Sequence, residues 1–336
     1  MSSIIVRSFV KINLSIDVGK VADNGYHPVD MVMQQLAFHD DVTVEYMPIV
    51  PGHPETGESA SYDGGSFDIE VRTNRYYLPC DRRNLAYQAA ELMAGRYPEK
   101  AHGKVLIDIK KRIPVAGGLA GGSGNGAAVL HALNILWGLD LSLEELMDLG
   151  AKLGSDVPFC VMGQVRANKD FPAYLRNDET ASSCARATGR GTVLEKLAPI
   201  DCWMVIAKPR FSVSTKEVYQ GIDDMDITAR PDNDRLAKRL EESAEESERS
   251  GGTLCAVPDK TMYEDFVNVL EEYTLKAYPE VEELKKLMID KGADFALMSG
   301  SGPTVFGIFG TMKAAEKAAQ GIQKEGLEAY WTRTTL

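Results

Sequence analysis

The chain has 336 residues, of which 44% are hydrophobic and 26% charged, and a formal net charge of -12. This length suits about two domains, and the composition is ordinary for a soluble globular protein. The acidic balance argues against nucleic acid or an anionic membrane as the main partner, since either would require a basic face. A small anionic substrate stays compatible, because a few local cations or a helix N-terminus can bind phosphate.

The cysteine pattern and the chain start indicate the compartment. The five cysteines form no Cys-x-x-Cys pair and their number is odd, so we expect free thiols in a reducing cytoplasm rather than a zinc site or disulfides. Residues 1–10 include Arg7 and no long apolar core, which predicts no signal peptide. No apolar run reaches the ~18 residues of a membrane span. We expect a cytoplasmic protein, either a monomer or a weak homodimer.

The N-terminal half alternates strands and helices. Period-two spacing of apolar residues predicts a strand at 3–18. Residues 48–66, with three Pro and four Gly, are predicted to form an exposed loop. The remaining predicted elements are strands at 41–46, 67–71 and 104–111, helices at 84–96 and 125–137, and a helix opened by a capping box at 142–145.

The C-terminal half has a similar alternation. The dense charge run at 232–249 is interpreted as the solvated face of a helix. The other predicted elements are strands at 202–207, 295–298, 304–309 and 327–331, and helices at 266–273, 280–291 and 312–325. Loose alternation in both halves predicts two α+β domains, with the seam between about 163 and 199.

A glycine-rich segment at 113–128, set between a predicted strand and an apolar helix, is the strongest signal. Glycines let the backbone approach a ligand closely, and the helix presents unpaired N–H groups and the positive end of its dipole. These features predict a site for nucleotide phosphates. The spacing fits neither the Walker A pattern nor Gly-x-Gly-x-x-Gly, which excludes a Rossmann oxidoreductase. A flexible linker is disfavoured because small apolar residues lie among the glycines.

Four other positions have both a structural and a functional interpretation. Lys11 and Asn13 share one face of the first predicted strand and are therefore solvent-facing or functional. Asp156 precedes Val-Pro and could be only a turn residue. The segments 25–27 and 299–302 could likewise be simple turns.

Together these segments resemble a known family. The pattern Pro-x-x-x-Gly-Leu-x-Gly-Gly-Ser at 114–123 is similar to the nucleotide-binding motif of the GHMP kinases (galactokinase, homoserine kinase, mevalonate kinase, phosphomevalonate kinase). Lys-x-Asn-Leu at 11–14 and Gly-Tyr-His at 25–27 resemble the members that phosphorylate diphosphocytidyl-methylerythritol. Gly-Ser-Asp-Val-Pro-Phe at 154–159 and Ser-Gly-Ser-Gly-Pro-Thr at 299–304 also match the family. The chain departs from the family at Gly124 and Gly126, which replace other small residues.

The resemblance implies a two-domain α+β GHMP kinase fold, with a ribosomal-protein-like N-terminal domain and a ferredoxin-like C-terminal domain. The expected boundaries are 1–165 for the N-terminal ATP-binding domain, 166–198 for an insertion and linker, and 199–336 for the C-terminal domain. Residues 48–66 and 164–183 lie outside the resemblance and are interpreted as insertions. The second of these is expected to be a lid, an interface or a disordered loop.

The resemblance also implies an ATP-dependent small-molecule kinase, with Mg²⁺ carried by ATP and no metal site of its own. Lys11 and Asp156 would be catalytic, with Asp156 as the general base. The ATP-binding residues would be Pro114, Val115, Ala116, Gly117, Gly118, Leu119, Ala120, Gly121, Gly122, Ser123 and Gly124. The substrate-binding residues would be Asn13, Tyr26, His27, Thr215 and Tyr219, with Tyr26 and Tyr219 on either side of a cytosine. The C-terminal glycine loop would comprise Ser299, Gly300, Ser301 and Gly302.

Two alternatives remain open from the sequence. One is a different GHMP kinase, of the homoserine or mevalonate type, which would share the glycine-rich segment but is not expected to carry the motifs at 11–14 and 25–27. The other is a non-catalytic nucleotide-binding regulator on the same fold, which would be expected to lack Lys11 or Asp156.

Overall fold

The computed structural model describes residues 2–23, 25–48 and 67–336, so the loop predicted at 48–66 lies almost entirely outside the described residues. The described residues form two compact units. The first unit draws on 1–8, 40–112 and 122–178, and the second on 9–39, 113–121 and 179–336. Both units are discontinuous in sequence. They therefore do not test the contiguous domains expected at 1–165 and 199–336, and those boundaries stay a prediction.

The architecture is mixed α+β, as predicted. The strands are β1 (Ser2–Val18), β2 (Val29–Met47), β3 (Phe67–Thr73), β4 (Gly103–Lys110), β5 (Cys184–Gly189), β6 (Val193–Lys196), β7 (Trp203–Lys208), β8 (Phe295–Met298), β9 (Val305–Phe309) and β10 (Glu328–Arg333). The helices are α1 (Leu85–Arg96), α2 (Gly121–Leu136), α3 (Leu143–Ala151), α4 (Val157–Ala167), α5 (Ala173–Arg176), α6 (Thr215–Ile222), α7 (Asn233–Arg249), α8 (Glu271–Ala277), α9 (Pro279–Asp290) and α10 (Met312–Lys324), with a 3₁₀ helix at Met262–Asp265.

The first unit combines a small sheet with helices α1 to α5. The second half of β2 pairs antiparallel with β4, and β3 pairs parallel with β4. Local signals set the helix starts: the Asn84 side chain accepts from the backbone N of Ala86, and Ser142 and Glu145 form the predicted capping box. These side chains satisfy N–H groups that a helix start leaves unpaired.

Helix α4 was not predicted, and the sequence shows why. Every residue from Val157 to Val165 is buried, so the segment lacks the apolar–polar period that marks an amphipathic helix, while Pro158 resembles a turn signal. The chain beyond it is also ordered, which excludes the disordered loop considered for 164–183. Asn168 exchanges hydrogen bonds with the backbone of Arg7, and the ring of Phe171 lies 4.8 Å from that of His131.

The second unit contains an antiparallel sheet in the order β10-β7-β9-β8. With helices between β7 and β8 and α10 between β9 and β10, this is the expected ferredoxin-like arrangement. The first half of β2 pairs with β5, and β5 pairs with β6. The core contains Ile12 and Leu14 of β1, Ile113 and Leu119 before α2, and Phe306 of β9.

The helix predicted at 266–273 is correct only for its last three residues. The 3₁₀ helix precedes this segment and α8 begins only at Glu271. Between them the backbone runs beside β1, where Ile16 N donates to Val267 O and Val269 N donates to Ile16 O. Backbone pairing with β1 therefore overrides the weak helical pattern of the segment.

The charge run at 232–249 forms helix α7, as predicted. Asp232 caps its start, and Leu236 and Leu240 are buried. Two cationic side chains of α7 are not simply solvated. Arg235 and Arg239 both form salt bridges with the fully buried Asp265. The helix is thereby held to the 3₁₀ helix of the second unit.

All five cysteines lie among the described residues and are free thiols, as predicted. Within the described part of the chain, none of the helices combines the length and the apolarity that crossing a membrane requires.

A pair of helix glycines tests the packing of α6. A Cβ at Gly221 would lie 2.1 Å from ring atoms of Tyr273, whereas a Cβ at Gly95 in α1 would meet nothing within 4 Å. Alanine is favoured over glycine in helices by about 1 kcal/mol, so Gly95→Ala should raise the melting temperature. Gly221→Ala should lower the melting temperature, because the new Cβ would overlap the Tyr273 ring. The hydrogen bond from Tyr273 to Glu217 restrains that ring from moving away. Thermal unfolding followed by circular dichroism compares the two, and equal gains would contradict this packing.

The buried His131 should make the protein acid-sensitive. Burial lowers the pKa of His131 from 6.5 to about 4, so below pH 6.5 the unfolded chain binds a proton that the folded chain does not. Stability from this group is complete above pH 6.5 and falls by about 3 kcal/mol as the pH drops to 4. Urea unfolding at pH 7 and pH 4.5 should show a smaller loss for His131→Gln than for wild type. The exposed His102→Gln variant should retain the wild-type loss.

Candidate functional site

Strand β1 places Lys11 and Asn13 on one face and buries both, with 5% and 0% exposed. Lys11 Nζ donates to Asn13 Oδ1 at 2.9 Å, and Asn13 Nδ2 lies 3.2 Å from the sulfur of Met31 on β2. A solvent-facing role is excluded for this pair. Burying an ammonium group costs free energy unless polar groups compensate its lost hydration. The Asn13 side chain supplies one such polar group to Lys11.

The nucleotide loop, defined as Pro114–Gly124, differs from the prediction in where its helix begins. Helix α2 starts at Gly121, four residues before the predicted start at Asn125. The unpaired N–H groups of its first turn therefore belong to Gly121–Gly124 rather than to residues after them. Before the helix, Ala116 and Ala120 have φ of 53° and 52°, a left-handed conformation that alanine adopts only when its surroundings impose it.

The nucleotide loop touches the C-terminal glycine loop (Ser299–Gly302) within the second unit. Ser299 Oγ donates to Gly118 O at 3.1 Å, and a Cβ at Gly118 would lie 2.2 Å from Ser299 O. Gly118 also has φ of 76°, so both space and conformation require glycine there. The backbone N of Lys11 donates to Leu119 O at 3.3 Å. The unit thus brings β1, with Lys11 and Asn13, together with both loops.

Thr215 and Ser301 are in direct contact, while their roles at a substrate site stay a prediction. Their hydroxyl oxygens are 3.0 Å apart. Thr215 is the first residue of α6, and Ser214 caps that helix. A Cβ at Gly300 would lie 3.5 Å from Asn13 Oδ1, so the C-terminal glycine loop also approaches β1. The turn interpretation of 299–302 holds as well, since Gly302 N donates to Ser299 O.

The aromatic residues predicted to enclose a base have other neighbours in the structure. Tyr26 is 52% exposed, and the guanidinium of Arg190 lies 4.0 Å from the centre of its ring. His27 Nδ1 is 2.9 Å from Gly19 O, and its ring meets Tyr219 edge-on at 5.5 Å. His27 and Tyr219 are therefore in contact, while Arg190 stacks on Tyr26. Arg190 was missed because its sequence neighbours carry no signal of this stacking.

Lys208, at the end of β7, is a second residue that sequence reasoning missed. It is 7% exposed, and its Nζ donates to the backbone O of Pro209 and of Phe211. Burial lowers the pKa of this lysine. A Cβ at Gly117 would lie 3.1 Å from its Cδ, so the side chain supports the nucleotide loop. Nothing in the pattern of β7, an apolar strand ending in lysine, predicts this.

The first unit carries the remaining predicted residues, Gly122–Gly124 and Asp156. Asp156 is half-buried and precedes helix α4 as its N-cap residue, but its carboxylate does not cap the helix. Gly124 O accepts from Gln164 Nε2 at 2.8 Å, and a Cβ at Gly126 would lie 3.3 Å from Leu85 O. The departure from the family at Gly126 thus coincides with a close approach of α1.

Two family models match the chain. The model described as GHMP kinases N terminal domain matches residues 84–164, and the model described as GHMP kinases C terminal matches residues 229–328. Together they span both the nucleotide loop with Asp156 and the C-terminal glycine loop.

Two relatives that match nearly the whole chain are named as kinases. The chain is 38% identical to a 4-diphosphocytidyl-2-C-methyl-D-erythritol kinase of Alkaliphilus metalliredigens (strain QYMF), over 96% of this chain and 93% of the relative. It is 38% identical to the kinase of the same name from Geobacillus kaustophilus (strain HTA426), over 95% and 92%. A crystal structure of 4-(cytidine 5'-diphospho)-2C-methyl-D-erythritol kinase superposes with a TM-score of 0.71 at 26% identity, covering 99% of this chain and all of the other.

The contact between the two loops predicts the effect of a single methyl group. In Gly118→Ala the new Cβ overlaps Ser299 O, so ATP affinity should fall about ten-fold or more as the nucleotide loop is displaced. Gly251→Ala is the control, since Gly251 has a similar φ of 83° but open space around its Cβ. Isothermal titration with ATP should show the loss only in Gly118→Ala. Equal affinities in the two variants would mean that the overlap is absorbed elsewhere.

Proposed function

The chain belongs to the GHMP kinases and, within them, to the 4-diphosphocytidyl-2-C-methyl-D-erythritol kinase family, and from this we propose that it phosphorylates that compound. The γ-phosphoryl group of ATP would pass to the 2-hydroxyl of the methylerythritol unit, a step on the methylerythritol phosphate route to isoprenoid precursors. The observation that carries the proposal is 38% identity over 96% of the chain. Lys11 and Asn13, which distinguish this subfamily by sequence, are also buried, and Lys11 N donates to Leu119 O of the nucleotide loop.

Phosphoryl transfer requires positioning and charge neutralisation more than covalent chemistry from the protein. In the proposed mechanism the backbone N–H groups of the nucleotide loop hold the triphosphate. The ammonium group of Lys11 stabilises the negative charge that develops on the transferred group. Asn13, which is hydrogen-bonded to Lys11, orients the substrate chain.

Asp156 acts as the general base in this proposal. In this role its half-buried carboxylate would accept the proton of the substrate hydroxyl. The bond from that hydroxyl oxygen to the γ-phosphorus then forms as the bond to the β-phosphate oxygen of ATP breaks.

Mg²⁺ is retained in the proposal as an ion carried by the ATP phosphates, where it neutralises their charge. Mg²⁺ prefers oxygen ligands and commonly keeps substrate phosphates and waters among them. The Ser123 hydroxyl in the first turn of α2 and the Asp156 carboxylate are protein oxygens of the required kind. The cytosine would be bound by Tyr26, His27 and Tyr219. The cytoplasmic location and the monomeric or weakly dimeric state remain predictions.

A direct assay tests the proposed function. The purified protein is incubated with ATP, Mg²⁺ and diphosphocytidyl-methylerythritol, and ADP release is followed beside wells that contain homoserine or mevalonate. ADP release only with the cytidyl compound is the expected result. Release only with another alcohol would retain the kinase and overturn the substrate. Intact ATP binding without release in any well would favour a non-catalytic regulator.

The proposed base has a sharp test in an isosteric variant. Asp156→Asn should lower kcat about 10²–10⁴-fold, the usual contribution of a positioned general base, while ATP affinity stays near wild type. Asp148→Asn makes the same charge change on the exposed surface of α3 and should retain wild-type turnover. A turnover of Asp156→Asn within about three-fold of that control would exclude Asp156 as the base.

A further inference from the structure

Three polar side chains form hydrogen bonds with the backbone at the C-terminal glycine loop. They come from a segment about 30 residues earlier in the chain. Asn268 Nδ2 donates to both Met298 O and Gly300 O at 2.8 Å. Glu271 Oε1 accepts from Met298 N at 2.9 Å, and Thr274 Oγ1 donates to Ser301 O at 3.4 Å. Backbone atoms on both sides of Ser299 are therefore held by side chains.

Asn268 forms more of these hydrogen bonds than either of the other two side chains. It is 3% exposed, and its Oδ1 accepts from Leu270 N at 3.0 Å. One amide group thus satisfies two carbonyls and one N–H group. Asp has no donor and Ser has a single one, so among side chains of this size only Asn makes all three bonds.

The same residue is tied to the catalytic strand. Asn268 forms a parallel backbone bridge with Ile16 of β1, and its neighbours Val267 and Val269 exchange hydrogen bonds with that residue. Strand β1 carries Lys11 and Asn13, while Ser299 abuts Gly118 of the nucleotide loop. Asn268 therefore connects β1, which carries Lys11, with the C-terminal glycine loop, which contacts the nucleotide loop.

We propose that Asn268 is a positioning residue, which sets the C-terminal glycine loop at a fixed distance from β1 and so aligns the nucleotide loop with Lys11. The proposal rests on the proposed kinase function for its kinetic consequence, although the positioning itself is a property of the fold. Asn268 touches neither substrate nor nucleotide in this role. It acts through the carbonyl groups of Met298 and Gly300, and hence through Ser299 between them.

The chain offers a matched control in Asn168. That residue is also buried, at 6% exposed, and its Nδ2 donates to the backbone O of Arg7 and of Gln164 while its Oδ1 accepts from Arg7 N. Asn168 thus makes the same three kinds of hydrogen bond in the first unit, and its partners in them, Arg7 and Gln164, lie outside both glycine-containing loops. Loss of either amide should lower the melting temperature to a similar degree.

The test compares Asn268→Ala, Asn268→Ser and Asn268→Asp with Asn168→Ala, at a temperature where all are folded. A displacement of about 1 Å in a catalytic arrangement can lower the rate about 100-fold, so Asn268→Ala should lose about 10- to 100-fold in kcat/KM for the cytidyl substrate. Asn168→Ala should stay within about two-fold of wild type. Asn268→Ser, with one donor, should be intermediate, and Asn268→Asp, which turns two acceptors toward two carbonyls, should be at least as impaired as Ala.

Hydrogen–deuterium exchange reads the positioning without any substrate. Peptides that cover 298–302 and 114–121 should exchange faster in Asn268→Ala than in Asn168→Ala. Equal exchange of those peptides in the two variants would overturn the proposal and leave Asn268 as a structural residue. The same conclusion would follow if the two variants lost the same melting temperature and had the same kcat/KM. A wild-type protein that is inactive on the cytidyl substrate would refute the proposed function alone, and the exchange data would then decide the positioning.

Discussion

The site depends on a steric constraint between two backbones, at Gly118 and Ser299. A side chain on Gly118 would begin 2.2 Å from the Ser299 carbonyl oxygen, and Ser299 Oγ returns a hydrogen bond to Gly118 O. Such an approach is possible only without a Cβ. It fixes the position of Gly118 in the second unit, and the hydrogen bond from Lys11 N to Leu119 O fixes the next residue relative to β1.

This constraint also explains why the loop tolerates strain. Ala116 and Ala120 adopt a left-handed conformation that costs an L-residue about 1–2 kcal/mol each. Strain of this size persists only where the surroundings determine the backbone from several sides. Here Ser299 and Lys11 hold the loop between the two alanines, and helix α2 begins directly after the second. In the proposed function, a loop held in this way would have its N–H groups oriented before a phosphate binds, which is the preorganisation that favours phosphoryl transfer.

Elements with a clear local pattern were predictable, and those set by long-range contacts were not. Strand β1 follows from the spacing of its apolar residues, although residues 8–16 are all buried, and helix α7 follows from its cap and its solvated charged face. Helix α4 is buried on all sides and has no period to detect. For the site, the resemblance predicted the residues of the glycine-containing loops and Lys11. It did not predict their contacts, since pairs such as Arg190 with Tyr26 join positions more than 160 residues apart and leave no local trace.

The placement of Arg190 on Tyr26 bears on how a base could bind there. A cation over an exposed aromatic ring contributes about 0.5–1 kcal/mol, whereas a base stacked on an aromatic side chain contributes about 1–3 kcal/mol. In the proposed function, a cytosine that competes for the same ring face would displace the guanidinium with a net gain. The proposed base site would therefore be exposed and closed by a replaceable contact, whereas Lys11 and Asn13 are buried.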